Sequence, residues 1–128
     1  MELNQVTLPS RDLHRAIPFY ELLGLELIVD SRPRYARFLL PVGGATLSLH
    51  HVETLAEGST GIHLYFECAD LDAEYARLRA AGVPFASPPV EQSWLWREAW
   101  FSDPDGNRLC LYHAGKNRID PPWRVAAQ

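Results

Sequence analysis

Several things are scarce in this sequence, and each scarcity argues against a class of protein. Cysteine occurs twice in 128 residues, at Cys68 and Cys110, and neither belongs to a Cys-x-x-Cys pair. That argues against a disulfide framework and against a zinc ribbon. No apolar run approaches the roughly 18 residues a membrane-spanning helix needs. The start, Met1-Glu2-Leu3-Asn4-Gln5, has neither the basic residues nor the apolar stretch of a signal peptide. The expected compartment is a bacterial-type cytoplasm. Positive charge is also in short supply: 12 Lys and Arg against 16 Asp and Glu leave a net charge of −4, with the basic residues scattered. Neither a nucleic acid nor an anionic membrane surface is therefore expected as the main partner.

What is present suffices for a core. Apolar residues make up 47% of the chain and aromatics 11%, which points to one folded domain over residues 1–128. An internal repeat organises it. Sliding the sequence so that Gln5 falls on His63 also places Leu8 on Phe66, Asp12 on Asp70, Leu13 on Leu71 and Gly24 on Gly82. Each copy reads strand, acidic cap, helix, glycine. Leu3 to Leu8 and Ile62 to Cys68 are the first strands. Asp12 and Asp70 stand where a side chain accepts from the free N–H groups of a starting helix. Leu13, Ala16, Ile17, Tyr20 and Leu23 then recur at helical spacing, as do Leu71, Tyr75 and Leu78. Gly24 and Gly82 occupy the position of a left-handed C-terminal cap. Pro18 removes one N–H from the first helix and predicts a kink or a late start.

Strand-like runs follow each helix: Leu25 to Val29, Tyr35 to Leu40 and Ala45 to His51, then Val83 to Phe85, Leu95 to Phe101 and Arg108 to His113. Gly43-Gly44 and Asp105-Gly106 separate the last two strands of each copy, as tight hairpins require. The pattern gives module one (1–53), a linker (54–61), module two (62–113) and a C-terminal tail (114–128). The fold class is α+β. Two β-α-β-β-β modules pair into a cupped, partly open mixed β-barrel with the helices outside, and the uncovered sheet faces line a ligand site.

These features, together with Phe19-Tyr20 and Leu22-Leu23-Gly24 at the first helix end and Asp103-Pro104-Asp105-Gly106-Asn107 before the last strand, resemble the vicinal oxygen chelate superfamily. That group contains glyoxalase I, bleomycin and fosfomycin resistance proteins and extradiol dioxygenases. The resemblance covers about Leu3 to His113. It implies one divalent metal in the cup, held by His or Gln on the first strand and by a carboxylate or His on the last strand of each module. The metal would chelate two neighbouring substrate oxygens and stabilise the adjacent anion. The first-strand positions here are Gln5 and His63. The last-strand positions are Ser48 and Cys110, where glyoxalase-like members have Glu, so the charge that attracts a hard cation is missing. A divalent metal and no metal both remain open. The resemblance further implies a homodimer with clefts completed across subunits.

Strand alternation lists the wall independently of the family. If Gln5 and His63 face inward, so do Thr7, Tyr65 and Glu67; Ser48 shares a face with His50, and Cys110 with Tyr112. Recruiting His50 and Glu67 beside His63 would preserve a metal site only by moving it along the strands. His63 otherwise hydrogen-bonds within the cup. Glu67 is the catalytic candidate, a general base if burial raises its pKa; the alternative is a structural partner of Arg97 or Arg37. Cys110 is either a thiolate nucleophile or an inert buried thiol. His50 and His51 are consecutive on a strand, face opposite ways and cannot grip one ion together.

Trp94, Trp96 and Trp100 share one parity and suit stacking on a planar ligand, or core and dimer packing. Arg97 would pair with a ligand carboxylate if its loop turned it inward. Residues 84–92, rich in proline, read as a loop over the rim. Two functions follow. One is a metal-dependent lyase or isomerase of the glyoxalase type, with dioxygenase chemistry further off. The other is a metal-independent binder that sequesters a small molecule, like the bleomycin resistance proteins.

Overall fold

The computed structural model describes residues 1–55 and 60–126. Half of the expected linker, 56–59, and the end of the tail, 127–128, lie outside the described residues. The architecture is α+β, with two β-α-β-β-β modules. The first comprises β1 (Gln5–Ser10), α1 (Leu13–Leu22), β2 (Glu26–Ser31), β3 (Tyr35–Leu39) and β4 (Thr46–His51). The second comprises β5 (His63–Glu67), α2 (Leu71–Ala80), β6 (Val90–Glu91), β7 (Arg97–Ser102) and β8 (Arg108–His113), followed by a 3-10 turn at Gly115–Arg118. The sheet orders are β1-β4-β3-β2 and β5-β8-β7-β6. Pairing is parallel between β1 and β4 and between β5 and β8, and antiparallel between β2 and β3, β3 and β4, and β6 and β7, so both sheets are mixed. Among the described residues no helix is long and apolar enough to cross a membrane.

Both helices start where the acidic residues predict. Asp12 accepts from Arg15 N at 3.4 Å and Asp70 from Ala73 N at 3.1 Å, each satisfying a donor that the first turn leaves free. Helix α1 begins directly after Asp12 and continues through Pro18, so the proline does not delay its start. Its buried residues Leu13, Ala16, Ile17 and Tyr20 pack on the sheet face carrying Leu8, Ala36, Phe38, Leu47 and Leu49, with the Tyr20 and Phe38 rings 5.6 Å apart. Gly24 and Gly82 end the helices at φ +101° and +100°, a conformation in which any Cβ is strained.

The second sheet departs from expectation at one strand. Among the described residues Val83 to Phe85 join no strand ladder; the fourth strand is Val90–Glu91. Pro84 lacks the N–H a ladder needs. The segment instead plugs the core of this unit. Val83 is buried, and the Phe85 ring lies 4.9 Å from both Tyr75 and Phe101.

The chain divides into two compact units, residues 1–62 with 102–107, and 63–101 with 108–128. The turn after β7 thus belongs to the first unit. Within it Asp103 is nearly fully buried. Its Oδ1 accepts from the backbone N–H groups of Asp105 (2.9 Å) and Asn107 (2.8 Å), and its Oδ2 from the Asn107 amide (2.8 Å) and the Tyr20 hydroxyl (2.6 Å). Asn107 also donates to Pro9 O at 3.2 Å, and Asp105 accepts from Arg11 N at 2.8 Å. Gly106 completes the turn at φ +86°.

Burial, and then the charge of Asp103, push the Tyr20 phenol far above its ordinary value. The unfolded chain releases that proton near pH 10 while the folded chain retains it, so stability falls as pH rises beyond about 10. Tyr20→Phe should cost about 1–3 kcal/mol at neutral pH. Thermal melts from pH 9 to 12 should also show a shallower alkaline decline in the variant than in the parent.

Candidate functional site

Each sheet has one face against its own helix and one free of it, and the candidate residues divide between the two helix-free faces. In the first unit the register sets Gln5 beside Thr46, Thr7 beside Ser48, and Arg37 beside Ser48 from the other side. Alternation puts Tyr35 and Arg37 on this face, since Ala36 and Phe38 between them are wholly buried on the other. The side chains form one network. Gln5 Nε2 donates to Ser48 Oγ at 2.9 Å and Thr7 Oγ1 at 3.1 Å, while Gln5 Oε1 accepts from the Thr46 hydroxyl. Ser48 Oγ lies 2.6 Å from the Tyr35 hydroxyl, and Arg37 Nε donates to that hydroxyl at 2.9 Å. The Ser48 hydrogen bond lowers the Tyr35 phenol; burial opposes this, and Arg37 reinforces it. His50 is exposed at the register position beside Tyr35.

The helix-free face of the second sheet is aromatic. His63, Tyr65 and Glu67 on β5 lie in register with Arg108, Cys110 and Tyr112 on β8. Trp96 and Trp100 pack against the buried Cys110, Tyr112 and Ala114. Trp96 stacks on Tyr112 at 4.8 Å. Tyr65 meets Trp96, Trp100 and Tyr112 edge-on at 5.7, 5.3 and 5.5 Å, and His63 meets Trp100 edge-on at 5.2 Å. At the centre stands Glu98, only 3% exposed. It accepts from the indole N–H of Trp94 at 2.8 Å and of Trp100 at 3.0 Å, and no cation pairs with it among the described residues. Burial raises Tyr65, with the Glu98 charge adding to it; burial likewise raises Tyr112, with Glu67 adding to it.

Two sequence expectations need correction, and one open alternative is decided. Glu67 has no raised pKa: burial pushes it up, but the backbone N–H groups of Ala114 and Gly115, together with His113 and Arg118, outweigh that and hold it below the usual carboxylate range. It accepts from Ala114 N at 2.8 Å and Gly115 N at 3.0 Å, and its cation is Arg118 at 3.7 Å. It anchors the tail and is poorly suited to act as a base. Arg97 faces the helix side, where it grips Asp72 of α2 with bonds of 3.0 and 3.2 Å, so it does not join the aromatic face. Cys110 is wholly buried; burial and the Glu98 charge push its thiol up to about 12, which keeps it protonated at neutral pH.

Glu98 is the residue the sequence reading passed over. It shares the parity of Trp96 and Trp100, which was the available signal.

The metal implied by the family resemblance does not fit the donors present. On β4 the family's ligand position is the neutral, buried hydroxyl of Ser48, already bonded to Gln5 and Tyr35, and on β8 it is a protonated thiol. The Gln5 carbonyl oxygen is occupied by Thr46. Neither of these last-strand positions supplies the anionic donor a hard divalent cation needs. Among the described residues no three His, Cys, Asp or Glu side chains converge.

Comparison with known proteins completes the description. A family model described as the Glyoxalase/Bleomycin resistance protein/Dioxygenase superfamily matches residues 2–111. A crystal structure of a glyoxalase/bleomycin resistance protein/dioxygenase from Nocardioides is similar at 27% identity and TM-score 0.77, covering 98% of this chain and 90% of that one. A bleomycin-binding protein complexed with bleomycin shares the fold at 22% identity and TM-score 0.73, covering 88% and 98%. Lactoylglutathione lyase from Agrobacterium tumefaciens shares it at 20% and 0.74, covering 93% and 96%.

Because Glu67 titrates lower in the folded chain, its contribution is present above the ordinary carboxyl value and is lost as pH falls through the folded one. Hydrogen-exchange protection of the Ala114 and Gly115 amides should therefore weaken below about pH 4.5. In Glu67→Gln the protection should be low at neutral pH and indifferent to acid.

Proposed function

This chain belongs to the glyoxalase/bleomycin resistance protein/dioxygenase superfamily, and we propose that it acts as a metal-independent binder of a flat, cationic small molecule. The ligand lies on the helix-free face of the second sheet, against Trp94, Trp96, Trp100 and Tyr65. Glu98 carries this reading. A buried carboxylate normally has a cation beside it, because leaving a charge unpaired in a low-dielectric site is costly. Here, among the described residues, two indole N–H groups satisfy it and no cation does. A carboxylate held by the N–H edges of two indoles attracts a cation through its charge, and the faces of those indoles add the attraction of their quadrupoles. Trp94 and Tyr65 are the more exposed members, 44% and 42%, so part of the aromatic surface is accessible. The mild net acidity of the chain adds long-range attraction of the same sign. A protein of the same fold is complexed with bleomycin, which supports ligand binding without chemistry as a use of this fold. The lyase or isomerase reading needs a charged donor set that Ser48 and Cys110 do not provide. The binder reading includes a homodimer, for which sedimentation should return twice the 14.5 kDa chain mass.

Titration calorimetry at neutral pH with 9-aminoacridinium and with uncharged acridine tests the charge requirement. The cation should bind about tenfold more tightly, the scale of one charge-assisted contact. Glu98→Gln should erase that difference, and Trp96→Leu should weaken both ligands, with melting curves confirming that each variant folds. Equal affinity for the two ligands in the parent protein, or stoichiometric divalent metal in protein purified without added metal, would overturn the proposal.

A further inference from the structure

The first sheet carries a second arrangement that the aromatic face does not use, and the direction of its hydrogen bonds can be fixed. Gln5 Nε2 lies 3.2 Å from Val6 O. A carbonyl oxygen only accepts, so the amide nitrogen must be on that side and Oε1 toward Thr46. Gln5 therefore donates to Ser48 Oγ. Ser48 is wholly buried, and a buried hydroxyl proton without an acceptor is disfavoured. Among the described residues its one acceptor within reach is the Tyr35 oxygen at 2.6 Å. Arg37 Nε donates to that same oxygen. Both acceptor positions of the Tyr35 hydroxyl are thus filled, and its own proton is left to point outward.

Arg37 completes the picture. Its Nε is committed to Tyr35 and its guanidinium carbon sits 5.4 Å from the Tyr35 ring centre. No carboxylate pairs with it among the described residues, and its two terminal nitrogens make no hydrogen bond there. A phenol O–H aimed outward beside two free guanidinium nitrogens is a receptor for a planar anion. We propose that Tyr35 and Arg37 form a binding site for a carboxylate on the helix-free face of the first sheet. Ser48 and Gln5 act behind it as positioning residues that fix the direction of the Tyr35 hydroxyl. The lowered phenol value agrees, since two donors on one oxygen stabilise its anion. This site does not depend on the binding reading of the second sheet.

The test uses benzoate and its uncharged isostere benzamide as probes, read by the arginine Nε–H resonances of ¹⁵N-labelled full-length protein. The Arg37 resonance is identified by its loss in Arg37→Gln. Benzoate should shift that resonance to saturation and benzamide should not. Tyr35→Phe, which keeps the ring, should weaken benzoate about tenfold, as expected for one hydrogen bond to a charged group. Arg37→Lys, which keeps the charge but loses the fork, should weaken it comparably. Equal shifts from the two probes, a response confined to other arginines, or unchanged affinity in Tyr35→Phe would each overturn the assignment.

Discussion

A ten-residue helix is about 15 Å long and seals only one side of a four-stranded sheet. In each unit of this protein that side takes the aliphatic and aromatic core, from Leu8, Phe38 and Leu49 in the first to Phe101 and Leu109 in the second. Residues on the other side have no helix to bury against, and they must satisfy one another. That requirement explains why the chemically distinctive side chains collect there: strand alternation delivers them, and the missing cover leaves their hydrogen bonds and ring faces to be settled locally.

The two copies meet this requirement in different ways. The first uses hydroxyls and an amide, so that donation runs from Thr46 to Gln5 to Ser48 to Tyr35, with Arg37 donating to the same Tyr35 oxygen from the other side. The second uses rings, and it orients them by hydrogen-bonding two indoles to one carboxylate. At the positions where enzymes of this family keep charged metal ligands, the two copies carry a hydroxyl and a thiol. Polarity is retained in one unit and aromatic packing in the other. At neither of those two positions is there the anionic donor that a divalent ion requires.

Much of the fold was legible because its signals are local. Asp12 and Asp70 announce their helices through a bond spanning three residues, and Gly24, Gly82 and Gly106 mark places where the backbone needs positive φ. Parity also placed Thr7, Ser48, Tyr65 and Tyr112 on common faces. What stayed hidden depends on contacts remote in sequence or on interrupted patterns. Val83 and Phe85 alternate like a strand, yet Pro84 and the space beside Tyr75 and Phe101 make them a core plug. The partners of Glu67 come from a tail with no periodicity to read. Plain alternation sets Arg97 opposite the tryptophans, but its partner Asp72 lies on a helix remote in sequence, which no parity names.

The turn at Asp103 has a consequence for the ancestry of the chain as well as for its stability. A gene duplication that joined two self-sufficient copies would leave halves that can be separated, but here the second copy lends residues 102–107 to the body of the first. A fragment ending at Ile62 would bury the Tyr20 hydroxyl with its acceptor removed. A fragment starting at His63 would carry a loop whose anchoring donors, Arg11 N and Tyr20, had been left behind. The two modules are thus tied through this turn, and severed pieces are expected to reassemble rather than to fold autonomously.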